Sequence, residues 1–592
     1  MLIKNIVRKY IGRARLFNDL LSEIDKQSVA EVQRGSDYLE WINSNLVECV
    51  EEFTRQNDLF SSSFILKMGE TYKTSKFSIF FKKWLVDYLF KLFNLLNDLS
   101  SHKVDSTKEL ILEDAPINRF AINKYLDKFG VCIRIKWVPP SNLFKKNSVI
   151  FFQILMVLFI CLNKGIVFFK KKKRYKVMRE AIWGLHDIGG YYFHDDFMVD
   201  GKKINKKDLL LFSRNSIAFE EGRSKACYQA KNSSYGHFYL PDLSIGLRAF
   251  FLRILPLYVV RIPMLLLHEV RSVNFSLFSS VYRYFFSCSI PYEKIFSHYK
   301  IISELGHNYF MASHVAEAII CENYQVKYYF LHWADTSIYI DKYISSFLGC
   351  DKFLLWGRAH AQGVEGDTQM LELIGYPFKH FIKNIISNRE KIMSEMGIKT
   401  DGPVIVFFDE TFGRDCKMTA EIYVDYWETI LKIGQAEKKC AIVVKPKSLA
   451  SGSNLPEALK LRYRKIKDEM QKQNNIFILN PLKWSFIEAI GIANVVITQG
   501  MTSSATIAII CGIDGLYFNQ AHYNHRFAQL FEEKIVFDDP EKLMLMLSRI
   551  LSGIERPLKD IPEELLREYD AYPDDLGLER LQAILLGEEV SG

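Results

Sequence analysis

The chain lacks the signatures of several large enzyme classes. It has no G-x-x-x-x-G-K-[ST] string and no G-x-G-x-x-G after the first strand of its α/β pattern. P-loop hydrolysis and dinucleotide binding therefore lose the glycine loops that usually cradle their phosphates. Without a G-x-S-x-G turn or an H-x-x-x-H pair, serine-hydrolase and metalloenzyme readings lack support. The ten Cys residues are scattered, with no C-x-x-C pair and no His/Cys grouping at zinc spacing. They read as reduced, mostly buried thiols of a cytoplasmic protein. The first residues, Met1 to Lys9, are basic but have neither the continuous apolar core nor the cleavage site of a secretory signal. Residues 148–169 are largely apolar but break at Asn163-Lys164-Gly165, short of the ~20 residues a spanning helix wants.

What is present is a long globular chain. At 592 residues, about three or four domains of ~150 residues are expected. A net charge of +8 is modest, but basic residues cluster, as in Lys170–Lys173 with Arg174 and Lys176. Lysines flank 148–169 on both sides, and 77–97 and 244–267 mix aromatic, aliphatic and basic residues. Such segments can lie in the plane of an anionic membrane surface; 77–97 and 244–267 read equally well as core helices, whereas the polylysine beside 148–169 favours the membrane there. The resulting expectation is a cytoplasmic protein held peripherally on the inner face of the cytoplasmic membrane. The basic clusters carry no nucleic-acid recognition motif, so nucleic acid is not expected as a partner.

Along the chain, 1–140 reads as a helical N-terminal region and 141–176 as an apolar, basic membrane-associated seam. Residues 177–395 read as a first Rossmann-like α/β domain, with strands at Leu209–Phe212, Lys327–Leu331 and Phe353–Trp356. In 396–556 the rhythm is clearer: apolar runs at Val404–Phe408, Cys440–Val444, Ile476–Leu479, Val495–Ile497 and Leu516–Phe518 alternate with helices near 420–436, 455–472, 484–491 and 504–511. That is the pattern of a doubly wound parallel sheet. Residues 557–592 form an acidic helical tail able to pack back across the first α/β domain.

Ligands of open parallel sheets bind at the carboxyl ends of strands. Here those ends carry Asp409-Glu410-Thr411, Lys445-Pro446-Lys447, Asn480-Pro481, and Thr498-Gln499-Gly500-Met501-Thr502-Ser503-Ser504. The last loop opens a helix, whose first N–H groups and positive dipole end favour an anion. Lys445 and Lys447 offer positive charge to a phosphate. Glu488 is placed to accept from ribose hydroxyls, or is an ordinary solvated helix position. The serine pair alone reads equally as a helix N-cap.

The string Val496-Ile-Thr-Gln-Gly-Met-Thr-Ser-Ser-Ala-Thr-Ile-Ala-Ile-Ile-Cys-Gly512 resembles the donor-site loop and helix of GT-B-type glycosyltransferases that build bacterial surface polymers. It looks most like the tandem-serine motif of Kdo-type capsule-polysaccharide transferases, bacterial sialyltransferases and CDP-glycerol glycerophosphotransferases. Lys445-Pro446-Lys447 stands where those families carry a Lys/His-Pro motif. Tyr328 to Trp333, Asp351 to Gly357 and Ile374 to Pro377 are similar, in order, to the end of their acceptor domain, although Trp333 replaces the usual Gly. The resemblance covers about 300–540. It implies an α/β fold of two Rossmann-like doubly wound domains (GT-B) with a helical N-terminal region outside the match. It also implies metal-independent, cofactor-free transfer from a nucleotide-activated sugar, such as a CMP-sugar, to a glycan or lipid-linked acceptor. CDP-polyol phosphotransfer, or a non-catalytic scaffold of glycan assembly, remain open. The implied donor contacts are Lys445, Lys447, Glu488, Gln499, Gly500, Thr502, Ser503 and Ser504. A general base is required for the acceptor hydroxyl; Asp195, Asp196, His332, Asp409 and Glu410 are candidates.

Overall fold

The computed structural model describes residues 36–57, 59, 63–101, 110–113, 116–129, 135–138, 154, 166–167, 172–180, 197–199, 203–213, 236–239, 245–246, 249–268, 275–306, 311–334, 346–361, 364, 370–412, 418–447, 452–481 and 483–589. The apolar segment 148–169 lies almost wholly outside these residues, as do Asp195 and Asp196.

The N-terminal block is helical: α1 (Ser36–Gln56), α2 (Ser63–Tyr72), α3 (Lys76–Ser101) and α4 (Pro116–Phe129). Helix α3 contains the aromatic segment 77–97, read from the sequence as either a membrane-surface helix or a core helix, and the structure places it in the core. Phe77, Phe80, Phe81, Leu85 and Leu89 are fully buried, and Phe77 and Phe80 pack edge-on against Phe285. Its basic residues leave the apolar face intact: Lys82 reaches Glu51, and the buried Lys83 donates to Ser346 O at 3.1 Å. A π-helical stretch, Phe250–Arg261, runs into α5 (Ile262–His268), followed by α6 (Phe275–His298) and α7 (Ser313–Asn323).

The first sheet comprises β1 (Val177–Glu180), β2 (Leu209–Ser213), β3 (Gly236–Tyr239), β4 (Ser303–Gly306), β5 (Lys327–Leu331), β6 (Lys352–Leu355) and β7 (Leu371–Leu373). Every adjacent pair is parallel, in the order β7-β6-β5-β4-β1-β2-β3. Side chains alternate between the faces of a strand, and this alternation divides two cores. Met178, Leu210, Phe212, Tyr328 and Phe330 join the core of the N-terminal helices, whereas Val177, Leu209, Leu211, Tyr329 and Leu331 join a core continuous with the second sheet. On that face α7 packs against β5, and α3 of the N-terminal block packs on α7.

The second sheet comprises β8 (Val404–Phe408), β9 (Ala441–Lys445), β10 (Ile476–Ile478), β11 (Val495–Gln499), β12 (Asp514–Phe518) and β13 (Val536–Phe537), ordered β10-β9-β8-β11-β12-β13. Strands β8, β9 and β11 are buried at all five positions. Such unbroken apolar runs are what parallel strands covered on both faces require. Helices α8 (Lys379–Ser387) and α9 (Arg389–Glu395) precede this sheet. Within it lie α10 (Ala420–Ala436), α11 (Glu457–Gln471), α12 (Phe486–Gly491), α13 (Ser503–Ile510), α14 (Arg526–Leu530) and α15 (Pro540–Leu551). In each sheet the first strand pairs with the second on one side and the fourth on the other, so the chain reverses its winding there. Both domains are therefore Rossmann-like and doubly wound, the fold class expected from the sequence.

The tail forms α16 (Glu563–Tyr569) and α17 (Gly577–Leu586). It returns to the first sheet: Ser303 Oγ donates to Leu585 O at 2.6 Å, and the Gln582 amide donates to Met198 O. Asp570 accepts from Tyr376 N at 2.9 Å and from the Lys379 ammonium at 2.8 Å in a buried pair.

Candidate functional site

The winding reversal in the second sheet lies between β8 and β11, and the chain leaves both strands there with polar residues. Tyr426, on α10, ties the two ends together: its hydroxyl donates to Phe408 O at 2.9 Å and lies 3.3 Å from Ile497 O. One turn earlier on the same helix, the Tyr423 hydroxyl donates to Asp409 Oδ2 at 2.9 Å. Asp409 Oδ1 accepts from the Lys447 backbone N–H. Asp409 is thus a brace between the loops after β8 and β9. With 6% of its surface exposed and both oxygens engaged, it is unsuited to receive a proton from an acceptor, contrary to the expectation from its position. Its neighbour Glu410 is the half-buried carboxylate of this edge. Glu410 accepts from Thr411 N at 2.7 Å and pairs with the exposed Lys447 ammonium.

Lys445 ends β9 almost fully buried, its ammonium donating to Pro446 O at 3.0 Å. Burial lowers its pKa, and the nearby carboxylates of Asp409 and Glu488 oppose that shift. A lysine held in this way is a concentrated positive charge close to water, the kind of group that gains most from an arriving phosphate. Glu488 is fully buried and is the third residue of a capping box: it accepts from Ser485 N at 2.9 Å and from Ser485 Oγ. Its sequence-based assignment to ribose is therefore corrected to a helix-capping role beside Lys445, since a carboxylate facing Ser485 and inaccessible to solvent is not presented to a sugar.

Gln499, fully buried at the end of β11, accepts from Glu410 N at 3.1 Å, so the two loops flanking the reversal are joined through its amide. Gly500 follows with φ +65, and its N–H donates to Phe518 O at 2.7 Å. That left-handed turn favours glycine and aims the next residues into α13. Thr502 occupies the N-cap position in extended geometry, yet its side chain makes no capping bond. Thr502, Ser503 and Ser504 are all half-buried. The reading of these hydroxyls as an ordinary N-cap is thereby disfavoured, and the first-turn N–H groups of α13 are left facing the same edge as Lys445.

His332 does not face a cleft. It is fully buried, its ring 4.4 Å from that of His360 and 5.3 Å from that of Trp356. His360 Nε2 lies 3.2 Å from Tyr569 O, so the histidine pair forms part of the seat for the tail. His332 is corrected from candidate base to packing residue, because solvent and substrate do not reach it.

No protein-family model and no curated protein sequence matches the chain. Among solved structures, it is similar to UDP-GlcNAc 2-epimerase of Methanocaldococcus jannaschii, in complex with UDP-GlcNAc and UDP. The identity is 11% and the TM-score 0.41, covering 70% of this chain and 99% of that one. It is also similar to the wall teichoic acid polymerase TagF, at 10% identity and TM-score 0.40, covering 75% and 97%. A third likeness is to Anabaena HepE in complex with UDP-glucose, at 10% identity and TM-score 0.35, covering 70% and 99%. The two-domain architecture of this chain stands on its own strand orders.

Sequence reasoning did not reach Tyr423 and Tyr426. Their spacing with Trp427 and Ile430 is that of an apolar helix face, and only the tertiary fold shows their hydroxyls meeting strand ends. Asn519, after β12, was likewise missed. It is buried, accepts from Tyr523 N and donates to Tyr523 O, both at 2.9 Å, and so shapes the loop beside Gly500.

Asp409 gives a pH test of this arrangement. Burial is the main cause that pushes its carboxyl up to about 6. The unfolded value is about 4, so the folded state holds this proton more tightly, and the group's contribution to stability falls as pH rises from ~4 through ~6. An Asp409→Asn variant cannot ionise. The wild-type stability minus that of the variant is expected to fall by on the order of 2 kcal/mol across this window, measured by urea unfolding. A pH-independent difference would contradict the burial described.

Proposed function

We propose that this chain is a glycosyltransferase that binds a nucleotide-activated sugar at the β8–β9–β11 edge and passes the sugar to a glycan or lipid-linked acceptor. The observation that carries this reading is that the buried Lys445, ending β9, and the uncapped hydroxyl loop Thr502–Ser504, following β11, lie on the same carboxyl edge of the sheet beside its winding reversal. In such a transfer the bond between the anomeric carbon and the donor phosphate oxygen breaks, and the acceptor hydroxyl oxygen bonds to that carbon. Negative charge grows on the nucleotide phosphate, and catalysis needs positive charge fixed beside it. Lys445 supplies a full charge, and the start of α13 supplies N–H groups and the positive end of a dipole. These groups answer the phosphate charge without a metal.

Lys447 and Glu410 supply the exchange that completes the cycle. Their pair is partly exposed, and an exposed pair is weak. A donor phosphate competing for the Lys447 ammonium frees Glu410, which is our choice of proton acceptor for the incoming hydroxyl. Asp195 and Asp196, outside the described residues, are the carboxylates the sequence offers from the acceptor domain.

Thermal unfolding with CMP-, CDP-, UDP- and GDP-linked compounds tests the proposal. One nucleotide class is expected to stabilise the protein, by about 2.7 kcal/mol at a hundredfold excess over its dissociation constant. Stabilisation by CDP-glycerol or CDP-ribitol alone would reassign the reaction to polyol-phosphate transfer. No response to any member would make the chain a non-catalytic scaffold and overturn the proposal.

A further inference from the structure

The helical stretch Phe250–His268 is apolar on both sides. Its 18-residue window Phe250–Leu267 has a mean hydropathy of 1.9, yet only 39% of it is buried. One side packs inward: Ile254, Tyr258, Ile262 and Leu266 are fully buried, and Tyr258 O accepts from the Tyr282 hydroxyl at 2.9 Å. The other side carries Phe251, Leu252, Val260, Met264 and Leu267, which are 42–64% exposed. From Leu252 through the exposed Pro256 to Val260, Met264 and Leu267 the steps are three or four residues, about one turn each, so these positions form one stripe, with Phe251 beside its start. Leu66 and Lys67 are exposed on α2, the helix that packs beside α5. A soluble protein normally avoids an apolar stripe of this kind unless something lies on it.

The charges around the stripe identify its occupant. Phe250–His268 contains no acidic residue. Arg261 is exposed among the apolar side chains. Arg253 is already answered by the buried Glu293 at 3.2 Å, but its guanidinium also stacks 4.3 Å from the Tyr324 ring. On the same ring, at 5.8 Å, sits the ammonium of Lys172, which donates to Phe296 O at 2.6 Å. Tyr324 thereby brings the basic run to the start of the apolar helix, although the two are about eighty positions apart in sequence. Lys172, Lys173 and Arg174 are all exposed there. An exposed apolar stripe with cations at its end matches the chemistry of an anionic bilayer surface, which takes apolar side chains between its headgroups and attracts basic ones.

We propose that the face formed by Phe250–His268, Leu66 and the Lys172–Arg174 run is the surface by which this protein lies on an anionic membrane, without spanning it. The proposal is independent of the nucleotide site, so either can fail alone. The test is co-sedimentation of the full chain with phosphatidylglycerol-containing vesicles and with phosphatidylcholine vesicles. The protein is expected to bind the anionic vesicles, less so as salt rises. Leu252→Glu with Met264→Glu, and separately Lys173→Glu with Arg174→Glu, are each expected to lower partitioning by roughly tenfold or more. Both pairs are exposed, so circular dichroism and the unfolding midpoint should be unchanged. Wild-type binding equal to that of the apolar double variant would overturn the proposal, as would no binding by the wild type. A solution dimer that the same variant dissociates would assign the stripe to a second copy and equally overturn it.

Discussion

Lys445→Ala lowers nucleotide affinity by roughly 10- to 100-fold, the range for a charge-assisted bond to phosphate lost from a buried site, and so cuts the stabilisation at an unchanged nucleotide concentration from about 2.7 to about 0.4–1.4 kcal/mol. The lysine ends a central strand, where backbone pairing fixes it: Phe408 is in register with Lys445, and Phe408 in turn with Thr498. It is 8% exposed, and its ammonium has a carbonyl and two neighbouring carboxylates around it. A phosphate brought to this edge meets a charge that cannot move away, so its loss is not made good by nearby side chains. Lys445→Arg is expected to rescue poorly, because a planar guanidinium does not fit a site built for a compact ammonium. Isothermal titration with the stabilising nucleotide reads both variants. An unchanged affinity for Lys445→Ala would remove this residue from the site.

Gly515→Val destabilises the protein by about 3 kcal/mol, at the upper end of the usual range for overpacking a core. Gly515 lies on β12 under α13, and a Cβ there would stand 2.6 Å from Ala505 O and 2.8 Å from Ile509 Cγ1. Ala505 O is backbone, so relief requires the helix itself to move. Helix α13 carries Ser503 and Ser504 at its start, and its Thr506 hydroxyl lies 2.8 Å from the Tyr517 hydroxyl on the same strand. Displacing the helix therefore shifts the proposed phosphate contacts along with the core. The expected result is a lower unfolding midpoint together with weaker nucleotide binding in the fraction that remains folded. A variant with wild-type stability would mean that the helix and strand do not approach this closely. By contrast, Gly512→Ala, where nothing lies within 4 Å but φ is +83, tests backbone conformation alone and is expected to cost about 1 kcal/mol.

The second domain was legible because its strands are covered on both faces. Val404–Phe408 and Val495–Ile497 are unbroken apolar runs, and the structure extends the second only to Gln499. The first sheet was less so. β1 and β4 include charged or small residues, Arg179, Glu304 and Gly306 among them, whose burial depends on partners remote in sequence. Arg179, fully buried, stacks over Phe197 and Trp333, and Glu304 accepts from the Tyr292 hydroxyl at 2.6 Å. Local pattern does not show such compensation. The same limit explains the site. Lys445 and the Thr502–Ser504 loop followed from the rule that ligands meet strand ends, whereas burial decided the fate of Glu488, His332 and Asp409. A buried carboxylate and an exposed one read alike in a sequence. The aromatic helix at 77–97 was open between membrane surface and core in the sequence, and its lysines decide it: they find Glu51 and Ser346 O and leave its apolar face free to enter the core.

The central claim is that a nucleotide phosphate sits where β8 and β11 diverge. A crystal structure of the chain with its stabilising nucleotide tests this most directly. The account predicts phosphate oxygens within hydrogen-bond distance of the Lys445 ammonium and the Thr502–Ser504 loop, with Lys447 turned away from Glu410. Phosphate density at any other strand end, with the Lys447–Glu410 pair intact, would contradict it.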